Sequence, residues 1–437
     1  MRLLNVDSSP SKPVSQARPA LSLRANFSWT FAGNVVYAAC QWGMLVVLAK
    51  LGSPEMVGQF ALGLAITAPL FVFSGLKLRA VQATDARREY CFGDYLSLRL
   101  IMIGMALLAT MGIVLVVGYD RETALVILLI GLTKSFDLMS DIIYGLLQQN
   151  ERMDRVAISR VIQGVLQIAA LGATLSLTVN LAVGVTALAV ASGTVTVIYD
   201  VRSAMLIGYR FIKTDKTLLP QWDATKLRRL TMTTVPLGIT VSLGSLWANI
   251  PRYFIENHFG EKSLGLFAAV SYILVASSIV ITAIGQSASP RLSRYYASGN
   301  MAAFDALLRR MVLLGAGTGF IGFVTVLIAG RQLLLLIYPS EYAELSAVLV
   351  WLTASLAIQQ VYNFLGTGIS AMRYFKAELP IQAGSCLVLT LLCVCLVGSY
   401  GLLGAAWSML IANLLEGVAF VVVFRWLRRS PNLKAVL

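Results

Sequence analysis

The stretch "LGSPEMVGQFALG", Leu51 to Gly63, returns in altered form as "FGEKSLGLFAAV", Phe259 to Val270. With one residue deleted, Gly52, Gly58, Phe60 and Ala61 answer Gly260, Gly265, Phe267 and Ala268. Each stretch follows a long apolar run and opens another. Each half then carries a basic segment, "LKLRAVQATDARREY" from Leu76 and "SPRLSRYYASGN" from Ser289. Such self-similarity at matching places in two apolar halves indicates two copies of one architecture.

Working outward, the chain of 437 residues is 57% hydrophobic and 13% charged, with a mean hydropathy of +0.76. A water-soluble core of this size needs no such values, so the chain reads as a membrane protein. Its runs are continuous rather than alternating, which favours helices over barrel strands. At about 20 residues per span there is room for roughly a dozen. The expectation is an all-α polytopic protein of about twelve transmembrane helices in two six-helix lobes, 27–199 and 236–424. A connection at 200–235 separates the lobes, and tails occupy 1–26 and 425–437.

The charge pattern orients this arrangement. With the amino terminus in the cytoplasm, 29 of the 35 basic residues fall on that side, as the positive-inside rule requires. Both termini are then cytoplasmic. The net charge of +14 is explained by orientation, so no nucleic-acid partner is needed. The five cysteines lie mostly in apolar runs and read as small hydrophobes rather than disulfides. The polar start, Met1 to Ala25, does not read as a cleavable signal.

Polar residues inside the spans carry the functional information. In "GLTKSFDLMSDIIYG", Gly131 to Gly145, Lys134 sits near mid-membrane, with Asp137 and Asp141 one and two turns toward the cytoplasm on the same helix face. A charge at that depth costs roughly 2.5 to 3.5 kcal/mol on insertion scales, so these groups face a cavity or one another. Two readings stand side by side. Lys134 and Asp137 form an ion pair that locks helices, or Asp137 or Asp141 takes a proton or cation while Lys134 meets a substrate anion.

The seventh span shows a longer pattern: Ser242, Ser245, Asn249, Arg252 and Glu256 follow at spacings of three and four, a polar stripe along an apolar helix. Pro251 is expected to kink or loosen it. The repeat carries Ser242, Ser245 and Asn249 onto Asn34, Tyr37 and Gln41 of the first span. Two stripes at matching depth argue for an aqueous cleft between the lobes, since neither tolerates lipid. Interhelical hydrogen bonding is the simpler alternative. Gln163, Gln167, Gln359, Gln360, Asn363 and Glu416 fit helix packing as well as substrate contact. Arg79 and Arg291, in the basic segments, fall at the cytoplasmic mouth, where the planar guanidinium suits phosphate oxygens.

A Walker loop is absent, as is any Cys/His cluster, and no soluble segment is long enough to house an active site. The chain therefore reads as a transporter, not an enzyme, with no cofactor and no metal.

Three segments, "MLVVLAKLGSPEMVGQFALG" (44–63), "TDARREYCFGDYLSLR" (84–99) and "NIPRYFIENHFGEKSLGLFAAVSYI" (249–273), resemble the polysaccharide biosynthesis transporters. These are the oligosaccharide and O-antigen flippases of the multidrug/oligosaccharidyl-lipid/polysaccharide exporter (MOP, MATE-like) superfamily. The similarity runs from about Leu23 to the last span. It implies two lobes around a central cationic cavity, alternating access across the plasma (inner) membrane, and a polyprenyl-diphosphate-linked oligosaccharide as substrate, with the lipid bilayer around it and glycan polymerase or assembly proteins as possible partners. Arg252 is the best-placed match to the family's diphosphate-binding cations, with Lys134 behind it; Asn249, Glu256, Asn34 and Gln41 complete the cavity lining. Asp137 and Asp141 beside Lys134, and Glu256 one turn beyond Arg252, depart from a strongly cationic cavity and leave room for coupling to a proton or sodium gradient. A drug or cation antiporter of the same superfamily is the nearest alternative. A membrane glycan polymerase or ligase is more distant, because the outer loops are too short for its active site.

Overall fold

The computed structural model describes residues 23–85, 89–211, 219–372, 374 and 378–429. Outside them fall 1–22 of the expected first tail, 212–218 of the expected connection, 430–437 of the last tail, and the basic residues Arg87, Arg88, Arg373 and Lys376.

Regular structure among the described residues is helical. In chain order it comprises α1 (Leu23–Leu51), α2 (Pro54–Gly75), the short α3 (Leu78–Thr84), α4 (Phe92–Val117), α5 (Arg121–Gln149), α6 (Met153–Thr178) and α7 (Leu181–Thr194). A π-helical segment, Val195–Val201, joins α7 to α8 (Arg202–Phe211). The second half comprises α9 (Ala224–Ile273), α10 (Val275–Ala297), α11 (Met301–Ile337), α12 (Ser346–Ala371) and α13 (Glu378–Arg429). Helix is what a chain this apolar must form, because hydrocarbon offers no partner for an unbonded peptide group. Among the described residues, nine helical stretches are long and apolar enough to cross a bilayer.

Short polar connections start the helices. Ser53 accepts from the Met56 amide and is followed by Pro54. Asp120 accepts from the Glu122 and Thr123 amides, and Asn180 and Asn300 do the same for α7 and α11. These are the residue types whose side chains bond the free amides of a first turn.

Two helices contain corners. Gly260 (φ 73°, ψ −178°) breaks α9 and Gly401 (φ 61°, ψ −138°) breaks α13, conformations open to glycine because it lacks a Cβ. Counted with these corners and with α10 continuing the second part of α9, the helices are consistent with twelve passes. Pro251, expected to bend its helix, keeps helical dihedrals, and the break falls at Gly260. Proline's ring removes one hydrogen bond and crowds the carbonyl four residues back, so a bend at Pro251 requires no non-helical residue. Helix also enters the expected connection from both sides, reaching Phe211 and resuming at Ala224.

The chain's two halves form an all-α membrane fold of two helical lobes, α1 to α8 and α9 to α13. Their packing differs between the two faces. At the face away from the chain ends one apolar core joins both lobes: Leu45, Leu62 and Ile127 share it with Ile255, Phe267 and Leu349. At the face bearing the chain ends there are two cores. One centres on Tyr95, Ile142 and Leu147 with Leu230 from the head of α9; the other centres on Phe304, Phe364 and Ile369. The lobes are therefore closed together at the far face and have separate interiors at the terminal face.

Candidate functional site

Residues of the matched segments make the far-face closure. Gly58 and Gly265 are both buried where α2 crosses the part of α9 beyond Gly260. Around them, Thr123 of α5 donates to Glu261 at 2.5 Å, Gln59 donates to Thr123 at 3.3 Å, and Lys262 lies 4.0 Å from Glu55. Deeper, Tyr253 donates to the Ala65 carbonyl and Ser242 to that of Pro69. α2 is thus the first lobe's main contact with α9.

The charged triplet of α5 divides between two clusters. Lys134, midway along the helix, pairs with Asp137 at 3.1 Å, and Gln163 of α6 donates to the other Asp137 oxygen at 2.6 Å. Both charges remain partly accessible, at 29% and 22%. Lys134 shares its electrostatic surroundings with Tyr37 of α1 and Tyr272 of α9, so it stands where the two lobes face each other.

Asp141 is held by two arginines. Arg99 of α4, wholly buried, meets it at 3.1 Å and also donates to the Gly75 carbonyl; Arg79 of α3 approaches to 3.6 Å and donates to Gln148. Two cations share one carboxylate there. Arg79 also lies 5.5 Å from the centre of the Tyr144 ring. Arg160 of α6 is placed over two rings, Tyr37 at 5.1 Å and Tyr144 at 5.6 Å, and has no carboxylate partner among the described residues.

In the second lobe, Arg252 donates to Asn249 at 3.0 Å and lies 5.4 Å from the Tyr272 ring centre. Glu256, a turn away, makes no ion pair with it. Asn249 is buried and donates to the Ser245 carbonyl of its own helix. Gln41 turns into its own lobe, donating to Gln167, which donates to Ser192. Asn34 is exposed. Arg291 is also exposed and, with Arg294, Tyr295 and Ser298, borders a recess of about 650 Å³ near the end of α10. Gln360 accepts from Thr318, while Glu416 accepts from Ser385, which accepts from Trp247; these are packing contacts within the second lobe.

The structure therefore brings Lys134, Asp137, Tyr37 and Tyr272 together, joins Arg252 to Asn249 beside them, and leaves Arg291 apart. Arg99, Arg160 and the rings of Tyr144 and Tyr272 are additions that sequence reading missed, while Tyr37 was read only as a member of the first span's polar stripe. Arg160 had a usable signal: with Gln163 and Gln167 it makes a stripe at spacings of three and four. Arg99 had none, because its partner lies on another helix.

Two helical lobes joined at one face and separate at the other, with cations between them, make an integral membrane protein whose fold is shared by MATE and MurJ proteins. A multidrug resistance MATE family transporter in its inward-facing conformation matches with a TM-score of 0.71 at 12% identity, over 93% of this chain and 100% of that one. The lipid II flippase MurJ, inward closed, matches with 0.72 at 12% identity, over 92% and 87%. A MOP superfamily transporter from Pyrococcus furiosus, described as having a binding pocket of reversed polarity, matches with 0.64 at 14%, over 93% and 95%. Within that fold the chain belongs to the polysaccharide biosynthesis protein family, whose profile matches residues 23–296. The capsular polysaccharide biosynthesis protein CapF of Staphylococcus aureus is 30% identical over 402 residues, 92% of this chain and 98% of that one.

Proposed function

We propose that this chain is a flippase that carries a polyprenyl-diphosphate-linked oligosaccharide from the inner to the outer leaflet of the plasma membrane by alternating access. In this reading the chain ends are cytoplasmic, and the far-face closure describes the inward-facing stage of the cycle. Family membership supports a role in polysaccharide synthesis, and the flippase activity named for MurJ supports the reaction class.

The observation that carries the reading is the pair Arg160 and Arg252, one in each lobe, each seated on tyrosine rings without a carboxylate partner among the described residues. An arginine held flat on an aromatic face keeps its charge and its donors for a ligand. Two of them flanking Lys134 offer a diphosphate donors from both lobes, while the lipid tail stays in the bilayer. The same charges repel a cationic drug, which sets this reading above the antiporter alternative. No chemical step is required of the protein, which acts as a transporter rather than an enzyme.

The test is translocation of a fluorescent polyprenyl-diphosphate glycan in proteoliposomes, together with surface glycan display in cells. Arg252→Ala is expected to abolish both while the protein remains in the membrane. Normal transport by that variant would remove Arg252 from the mechanism.

A further inference from the structure

Asp200 lies in the π-helical segment between α7 and α8, wholly buried. Ser159 of α6 donates to its Oδ1 at 2.6 Å, and its Oδ2 is buried without a hydrogen-bond partner. Segments of this wider winding recur at functional sites.

The groups around it come from three directions. From α5, Ser140 adjoins the carboxyl and is itself bonded to Thr196 at 2.8 Å; Tyr144 shares a 2.8 Å hydrogen bond with the same Ser159. From α6, Arg155 is turned away to Ser203 at 3.2 Å, and Arg160 is spread over Tyr37 and Tyr144. Tyr199 is its neighbour in the chain, within electrostatic reach. No cation is paired with Asp200 among the described residues. This sets it apart from Asp137, neutralised by Lys134, and Asp141, neutralised by two arginines. Enclosure without a paired cation penalises the charge of a carboxylate.

The hydroxyls of Tyr144 and Ser159 link this carboxyl to the ring on which both Arg79 and Arg160 rest. We propose that Asp200 is a proton-binding site of the transport cycle, and that its protonation strengthens the hold of Arg79 and Arg160 on an anionic headgroup. The first part stands on the geometry alone, while the second rests on the flippase reading. One proton from water adds to the carboxylate and one negative charge disappears, so Arg160 no longer shares its field with Asp200. Linkage is reciprocal: proton and anion each tighten the other's binding by the same factor, on the order of tenfold.

The experiment uses the full chain in lipid nanodiscs. Infrared difference spectra across a pH titration should show a protonated-carboxyl band that is missing in Asp200→Asn and retained in Asp137→Asn and Asp141→Asn. Ser159→Ala keeps the carboxyl and should move the pH at which the band appears, which covers the case in which Asp200→Asn fails to fold. The affinity for a short-chain polyprenyl diphosphate should rise about tenfold as pH falls in the wild type, and should be pH-independent in Asp200→Asn. A band unaltered in Asp200→Asn, or indifferent to Ser159→Ala, overturns the proton site. If the band behaves as expected while the diphosphate binds at no pH, the proton site stands and the headgroup reading falls with its coupling.

Discussion

Gly58 and Gly265 meet at the far-face crossing of the two lobes so closely that neither could carry a side chain. A Cβ on Gly265 would stand 2.0 Å from the Pro54 carbonyl oxygen, and one on Gly58 would stand 1.8 Å from that of Glu261. The relationship is reciprocal, since Pro54 and Glu261 each lie four residues before the glycine of their own segment. The repeated stretches thus pack reciprocally on one another.

Gly265→Val should therefore open the far face. Forcing a branched side chain into backbone contact costs about 1–3 kcal/mol, enough to shift a balance between inward- and outward-facing states. Thr123→Cys, in a background without native cysteines, should react faster with a water-borne thiol reagent once Gly265→Val is added. Equal rates would show that the crossing does not govern access.

The Lys134–Asp137 pair can be separated into its structural and functional parts. Asp137→Ala leaves Lys134 uncompensated; with both side chains partly accessible, the cost should be smaller than the roughly 3–5 kcal/mol of a fully buried pair, read as lost abundance and a lower melting temperature. Replacing both, as Lys134→Met with Asp137→Leu, should restore the protein to the membrane without restoring transport. Transport by the double variant would make the pair a helix lock only.

Arg99 and Arg79 share Asp141 but not its surroundings, since their side chains are 0% and 22% exposed. Arg99→Met leaves an emptied polar site deep among α2, α4 and α5, whereas water can replace Arg79. The Arg99 variant should lose more thermal stability in detergent, by about 2 kcal/mol; a larger loss for Arg79→Met would contradict this.

Lysine substitutions test whether arginine's shape matters as well as its charge. Arg160→Lys and Arg252→Lys keep the cation but lose the flat guanidinium that lies on Tyr37, Tyr144 and Tyr272. At about 1 kcal/mol for the ring contact, initial transport rates should fall roughly fivefold, with alanine at either position far worse. Lysine variants as inactive as alanine would assign the role to guanidinium hydrogen bonding rather than to seating on the ring.

Much of the fold was legible because lipid enforces it locally: apolar runs act through residues close in the chain, whereas the caps at Ser53 and Asp120 and the glycine corners at 260 and 401 emerged with the structure. The site was legible only in part. Lys134 and Asp137 lie on one helix, one turn apart, so their spacing makes an ion pair one of two readings, and the structure pairs them. Asp141 looked like their companion by the same spacing, yet its partners are Arg79 and Arg99, brought in from helices 62 and 42 residues away in sequence. Asp200 looked like the beginning of a polar connection because a charge ends an apolar run; helix in fact continues past it, and packing of α5 and α6 encloses it.

The sequence by itself determined that this protein lies in a membrane as paired helical halves, because hydropathy and backbone hydrogen bonding are properties of contiguous residues. Only the tertiary structure decided which charges are spent on one another and which stay available. Neutralisation depends on distances of a few ångströms between helices, and no periodicity along a single helix records them.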